Sequence, residues 1–334
     1  MFAVTSFLAV FLLTPIVQRL AIKFDIVDKP KGIKDHEKPT AYLGGVAIYL
    51  GIALTTVGAY FFNPQIFGFE QIVYLGALTS VFVLGLVDDL FGLKAITRLI
   101  FHFIIASSCV AAGFHIQTKL PLYGDYILSA IWIAGFINAL NIIDIMDGLA
   151  SGVSLVISAC IVSLIYLLEI NTVFNFSLLM PVLLLGACAG FLPHNFEKAS
   201  IFLGDAGSNL LGFILATATL KLPFVPTEVY HLFVPVALLW VPFFDVILVS
   251  ILRLKQGISP LHGSRDHFAL RLKKHGMPIK KIVYHSCFAS FLSFMTALLI
   301  LVVKPEFRVV PAIVLFAGSY MIASFLKRVD IHEK

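Results

Sequence analysis

The chain has 334 residues, of which 59% are hydrophobic and only 13% charged, with a mean hydropathy of +0.97. That leaves too little polar surface for a soluble two-domain protein and reads as a polytopic membrane protein. The net charge of +5 reads as membrane topology plus attraction to anionic lipid, with no case for nucleic acid.

A bilayer crossing takes about 20 apolar residues, and eleven stretches meet that need: 1–22, 41–62, 70–87, 96–113, 127–145, 150–168, 177–192, 206–222, 230–252, 281–303 and 307–326. The expected fold is an all-α polytopic integral membrane protein of about eleven transmembrane helices, forming a single transmembrane domain over 1–334. Most Lys and Arg fall after odd-numbered spans and at the C-terminus; Lys119, Lys221, Lys304 and Arg308 fall on the other side. The positive-inside rule then puts the N-terminus outside and the C-terminus in the cytoplasm. The first span lacks a basic n-region and a cleavage signature, so it is expected to stay as an anchor. Cys109, Cys160, Cys188 and Cys287 lie in apolar stretches without CxxC spacing and read as packing residues.

The first cytoplasmic loop, KFDIVDKPKGIKDHEKPTAYLGG, ends in Gly44-Gly45 where the second span begins. A plain tether and a close approach of backbone to a phosphate are both open there. The third span ends GLVDDLFGLKAITRL, with Asp88 and Asp89 at the boundary and Arg98 opening the fourth. A solvated helix end would hold two adjacent acids, but a metal or a cationic partner explains them better in so acid-poor a chain. Residues 114–126 suggest a short outside hairpin.

The stretch NALNIIDIMDGLASG carries the strongest signal, because Asn138, Asn141, Asp144 and Asp147 interrupt an apolar run. At helical pitch Asn141, Asp144 and Asp147 share a face, with Gly148 and Gly152 loosening the helix end behind them. A carboxylate at the bilayer centre costs about 2.5 to 3.5 kcal/mol, so this stripe belongs near an end, facing protein, water, metal or substrate. Further on, PHNFEKASIFLGDAGSNLLGF places Asp205, Gly207 and Ser208 at a helix start. They serve there as a cap alone or as a magnesium and phosphate cradle. Asp245 stands about two turns before Arg253, either pairing locally or bracing a site. The last loop, PLHGSRDHFALRLKKHGMP, reads as an amphipathic helix on the membrane from Ser264 to Gly276. Phe268 and Leu272 face one way, and His267, Arg271 and Lys274 the other.

Topology thus gathers Asp88, Asp89, Asp144, Asp147, Asp205 and 262–267 at one surface, on helix ends far apart in sequence. Clustered carboxylates repel unless they bind cations, and Mg²⁺ is the usual cation with few carboxylates and a phosphate co-ligand.

Four segments, DDLFGLKAITR, NALNIIDIMDGLASG, NFEKASIFLGDAGS and PLHGSRDH, resemble in order and placement the polyprenyl-phosphate N-acetylhexosamine-1-phosphate transferases, over nearly the whole chain. The eleventh span and the Arg-Asp-His of the last loop look like the N-acetylglucosamine branch. The chain departs from the family pattern at Ile145, where Gly is usual, at Lys198, where Pro is common, and at Phe268 to Leu270, where further histidines often follow. The resemblance implies transfer of N-acetylhexosamine-1-phosphate from a UDP-sugar to undecaprenyl phosphate with loss of UMP, using Mg²⁺ or Mn²⁺. Such a reaction initiates a cell-envelope glycan, in cell wall or lipopolysaccharide biogenesis, at the inner (plasma) membrane. Carried over position by position, it implies Asp88, Asp89, Asp144 and Asp147 as catalytic and Asp205 and Asp144 as metal ligands. Gly44, Arg98, Asn138, Asn141, Asn195, His262, Arg265, Asp266 and His267 would bind substrate. Loops 23–40, 88–95, 193–205 and 253–280 would form the active-site face, beside membrane lipid and with a homodimer allowed. A transporter should carry its acids near the midplane on broken helices in repeated halves, and no repeat is found. A CDP-alcohol phosphotransferase needs Ala-Arg after Asp147-Gly148, and Ser151 stands where the Arg should be.

Overall fold

Because the chain is apolar nearly all round its helices, it must hide them in one another and in lipid. The computed structural model describes residues 1–28, 40–118, 121–168, 175–222, 232–259 and 266–329. It is an all-α membrane bundle: α1 (Phe2–Lys23), α2 (Gly44–Phe62), α3 (Phe69–Phe91), α4 (Ala95–Ala111), α5 (Leu122–Ile143), α6 (Leu149–Leu167), α7 (Phe176–Asn195), α8 (Gly204–Leu220), α9 (Phe233–Leu238), α10 (Trp240–Lys255), α11 (Phe268–Lys274), α12 (Ile279–Val302) and α13 (Val309–Leu326). Two short strands, β1 (Val27–Asp28) and β2 (Thr40–Ala41), pair antiparallel. Large apolar side chains such as Phe61, Phe62, Ile72, Tyr320 and Met321 stay exposed on the flanks, as lipid-facing surface does.

The bundle is built around α8, which is buried along almost its whole length and packs on α2, α3 and α5. Small residues allow this: a Cβ on Gly45 would lie 2.2 Å from the Gly207 nitrogen, and one on Gly85 would lie 2.6 Å from Ala206 Cα. At the far end of α8, Lys221 pairs with Glu70 at 3.5 Å, and Trp132 Nε1 donates to Thr219 at 3.1 Å. Trp240 Nε1, donating to Ser319 Oγ at 2.9 Å, holds α13 to α10.

Two expectations change. Eight described helices, α1, α2, α3, α5, α6, α7, α12 and the stretch Pro305–Leu326, are long and apolar enough to cross a membrane. The 17 residues of α4 and of α8 and the 16 of α10 are fewer, so the helices do not by themselves give eleven spans. The expected span 230–252 is two helices, broken at Leu239 (φ −100, ψ 26). Pro242 has no N–H for the Leu238 carbonyl, which unfastens the turn there.

Candidate active site

The ends of α1, α3, α5, α7 and α13 and the starts of α2, α4, α6, α8 and α12 meet at one end of the bundle, and the acids lie among them. Phe202 N donates to Ala41 O at 2.8 Å, and Gly44 N and Gly45 N donate to Phe202 O and Leu203 O at 2.9 and 2.8 Å. The segment before α8 is thereby laced to the start of α2. The Gly44 N–H, expected to approach a phosphate, is thus engaged with Phe202 O, and the glycine pair allows close packing.

At the start of α8, Asp89 reaches across from α3 and accepts from Asp205 N at 2.7 Å and Ala206 N at 3.0 Å. A carboxylate on the free N–H groups of a helix start satisfies donors that the helix itself leaves unpaired and complements its dipole. Asp89 thus takes two of the amides at the helix start where a cap or a cradle was expected, and the residue in N-cap position is Leu203. Asp88 accepts from Leu93 N at 2.5 Å and from Arg98 Nη1 at 2.6 Å. The same Arg98 nitrogen lies 3.0 Å from Asp205 Oδ2. Asn141 Nδ2 donates to Asp205 Oδ1 at 2.5 Å and to Ser208 Oγ at 3.1 Å. Asp205 is thus oriented by an arginine from α4 and an amide from α5.

The central motif is a turn rather than a helical stripe. The helix α5 stops at Ile143, Asp144 is its C-cap, and Gly148 at φ +74 opens α6, a conformation for which a side chain would be strained. The acids still converge, because the turn folds back on the loop after α7. Asp147 Oδ2 accepts from Ala199 N at 2.9 Å. In that loop Glu197 and Lys198 adopt φ +30 and +61, which proline cannot, so Lys198 at the family's proline position suits this backbone.

No described residue hydrogen-bonds the Asp144 carboxyl, which burial pushes well above the usual carboxylate range, helped by the charges of Asp205, Asp89 and Asp147. Such a group is stabilised in its charged form by a cation. Among the described residues no group of three or more His, Cys, Asp or Glu is arranged to hold a metal. The donor set fits a hard ion only as Asp144 and Asp205 together with oxygens brought by substrate, which is how Mg²⁺ is commonly bound.

Other expected site residues lie elsewhere or carry other tasks. Asn195 is buried, accepts from Gly148 N and Ser151 Oγ at 3.1 and 2.9 Å, and donates to Ile201 O at 3.1 Å. It therefore staples the α5–α6 turn to the loop after α7. Asn138 is half-buried and makes no hydrogen bond with a described residue. His262 and Arg265, with Ser264, lie outside the described residues. His267 is buried, its Nδ1 2.8 Å from Asp245 Oδ2, and Asp245 Oδ1 accepts from Phe268 N at 2.9 Å. Asp245 therefore braces the start of α11 and has His267, not Arg253, as its described partner. Arg271 is buried too, donating to Asp266 Oδ1 at 2.5 Å and to Leu326 O and Val329 O at 3.1 and 2.7 Å. The basic side of α11 is thus interior at His267 and Arg271, where Asp245 and Asp266 are their hydrogen-bonding partners. Sequence reasoning missed Ser208 as a partner of Asn141.

Comparison with known proteins fits this arrangement. A family model described as Glycosyl transferase family 4 matches residues 71–223, which hold all five clustered acids. The probable undecaprenyl-phosphate N-acetylglucosaminyl 1-phosphate transferase of Bacillus subtilis is 31% identical over 278 residues, 80% of this chain and 75% of that protein. The chain belongs to the polyprenyl-phosphate N-acetylhexosamine-1-phosphate transferase family. Within that family it is also similar to the decaprenyl-phosphate N-acetylglucosaminephosphotransferase of Mycolicibacterium smegmatis, at 31% over 311 residues, 84% of this chain and 76% of that protein. The undecaprenyl-phosphate alpha-N-acetylglucosaminyl 1-phosphate transferase of Escherichia coli K12 is 28% identical over 287 residues, 79% and 74% of the two chains. Membership makes the chain a membrane-embedded enzyme of the phosphoglycosyl transferase type.

Proposed function

We propose that this protein transfers N-acetylhexosamine-1-phosphate from a UDP-sugar, UDP-N-acetylglucosamine in the first instance, to undecaprenyl phosphate. The site would face the cytoplasm at the inner membrane, with eleven crossings and the N-terminus outside. The observation that carries the reading is the gathering of five carboxyls from α3, the α5–α6 turn and α8 at one end of the bundle, where Arg98 pairs with Asp88 and Asp205 and Asn141 donates to Asp205. An oxygen of the lipid phosphate attacks the sugar-bearing phosphorus; the bond to the uridine-bearing phosphate breaks, and UMP leaves with its electron pair.

Phosphoryl transfer of this kind depends on positioning and charge neutralisation more than on a strong base. Mg²⁺, held by Asp205 and Asp144, would neutralise diphosphate charge. The remaining residues prepare that seat. Asp89 fixes the backbone from which Asp205 projects, and Asn141 sets the rotation of its carboxylate. Asp88 anchors Arg98 so that the guanidinium stays beside the phosphates. Asp147, held to Ala199, keeps the turn that presents Asp144 closed against the loop before α8.

The test is incubation of the detergent-purified protein with undecaprenyl phosphate, Mg²⁺ or Mn²⁺ and a panel of UDP-N-acetylhexosamines. UMP and a lipid-diphosphate sugar are expected; release of UDP would mean glycosyl transfer and overturn the reading.

A further inference from the structure

We infer that Tyr42 is a substrate-binding residue whose hydroxyl donates to a phosphate oxygen beside Asp89, Asp144 and Asp205. The inference rests on the phosphoryl-transfer reading above and adds a ligand contact from a segment outside the acidic motifs.

The backbone around Tyr42 is fixed from several directions. Tyr42 N donates to Ile26 O at 3.1 Å, Ala41 O accepts from Phe202 N, and Ala41 bridges to Ile201. Immediately afterwards Leu43 takes a left-handed turn, φ 87 and ψ 19, that redirects the chain into α2. The ring lies edge-on to Phe202, centroids 5.8 Å apart at 69°, three residues before Asp205. A side chain so held is fixed relative to the start of α8.

Its hydroxyl ends among acids. The carboxylates of Asp28, Asp89, Asp144 and Asp205 all act on it, and no described residue hydrogen-bonds it. An ordinary phenol keeps its proton at neutral pH, and burial beside these acids favours that form, so the oxygen is a donor. A lysine or arginine in this place would ion-pair with Asp144 or Asp205 and compete with a divalent ion for them. A tyrosine supplies a hydrogen bond to an anion without adding a positive charge, which suits a pocket where carboxylates must remain available to metal. The ligand chemistry is therefore a phosphate oxygen, borne by either the lipid phosphate or the nucleotide diphosphate.

Two variants separate the hydroxyl from the ring. Tyr42→Phe keeps the contact with Phe202 and loses only the donor; Tyr42→Ala loses both. Calorimetric binding of UDP-N-acetylglucosamine and of undecaprenyl phosphate, each with Mg²⁺, is measured for wild type and both variants, with UMP release run in parallel. Tyr42→Phe should weaken binding of at least one ligand by about 10-fold or more, as expected for a hydrogen bond to a charged group, without lowering the thermal midpoint. Weakening confined to the lipid assigns the contact to the acceptor phosphate, and weakening confined to the nucleotide assigns it to the donor diphosphate. If Tyr42→Phe binds both as wild type does and only Tyr42→Ala is impaired, the side chain is packing and the inference is overturned. Wild type that binds but releases no UMP would instead overturn the reaction, while the Tyr42 contact stands on the binding data.

Discussion

Two knots of charge lie at the same end of this bundle. In the one at the start of α8, Asp88, Asp89, Asp144, Asp147 and Asp205 gather with Arg98 as the cation paired to them among the described residues. In the other, Asp245 meets His267, and Asp266 meets Arg271. The first knot has more carboxyls than basic partners among the described residues, and one of them, Asp144, is hydrogen-bonded by no described residue; in the second each acid has a basic partner. An excess of gathered carboxyls suits an external cation, whereas a paired acid suits a fastening. Both sets of residues look alike in the sequence, as polar interruptions near helix ends.

The sharpest way to break this comparison is at Arg271, which should matter to the fold and not to the reaction. Removing one partner of a buried pair costs about 3 to 5 kcal/mol, so Arg271→Ala should lower the thermal midpoint of the detergent-solubilised protein more than Asp205→Asn, Asp245→Asn or Lys280→Ala does. The Mg²⁺ concentration for half-maximal turnover in the surviving folded fraction should be unchanged; a shifted requirement would put the second knot in the site. Asp205→Asn inverts the pattern. The side chain keeps an acceptor for Asn141, yet UMP release should fall by about 100-fold or more, roughly 2.7 kcal/mol of barrier, with the midpoint within a few degrees of wild type. Near-normal turnover at limiting Mg²⁺ would move the metal elsewhere.

Smaller effects sharpen the same division. Asp245→Asn should cost about 1 to 3 kcal/mol of stability through its hydrogen bonds to His267 and Phe268, read as a lower midpoint with turnover per folded molecule largely kept. A loss of turnover without loss of stability would return His267 to the site. Lys280 and Glu197 form an ion pair at the exposed rim of the first knot. Lys280→Ala should change stability by less than about 1 kcal/mol, and a large drop would show that the loop after α7 depends on that pair.

The helices are more legible in the sequence than the turns, for a physical reason. Apolar runs bounded by charge place α6 at 149–167 against an expected 150–168, because lipid and burial both demand such runs. The 138–152 motif reads as one face of a helix because residues three apart also meet when a helix ends and the chain turns back, and only Gly148 at positive φ decides between the two. The roles of Asp88 and Asp89 are equally hidden. Adjacent acids look equivalent in a string, whereas one holds an arginine and the other a helix start, which depends on α8 lying beside α3. The break at Leu239 has a signal in Pro235 and Pro242, but Pro15 sits inside the unbroken α1, so proline alone does not decide.

The carboxylate of Asp89 on the first amides of α8 also bears on selectivity. A bare helix start is adhesive to any small anion, and inorganic phosphate in the surroundings would settle there. With Asp89 already on the Asp205 and Ala206 amides, that berth is filled by the protein's own side chain. On the proposed reading, what enters is an anion escorted by a metal ion, with Asp144, which no described residue hydrogen-bonds, as a landing point, so admission would be decided by the company a phosphate keeps as much as by its shape.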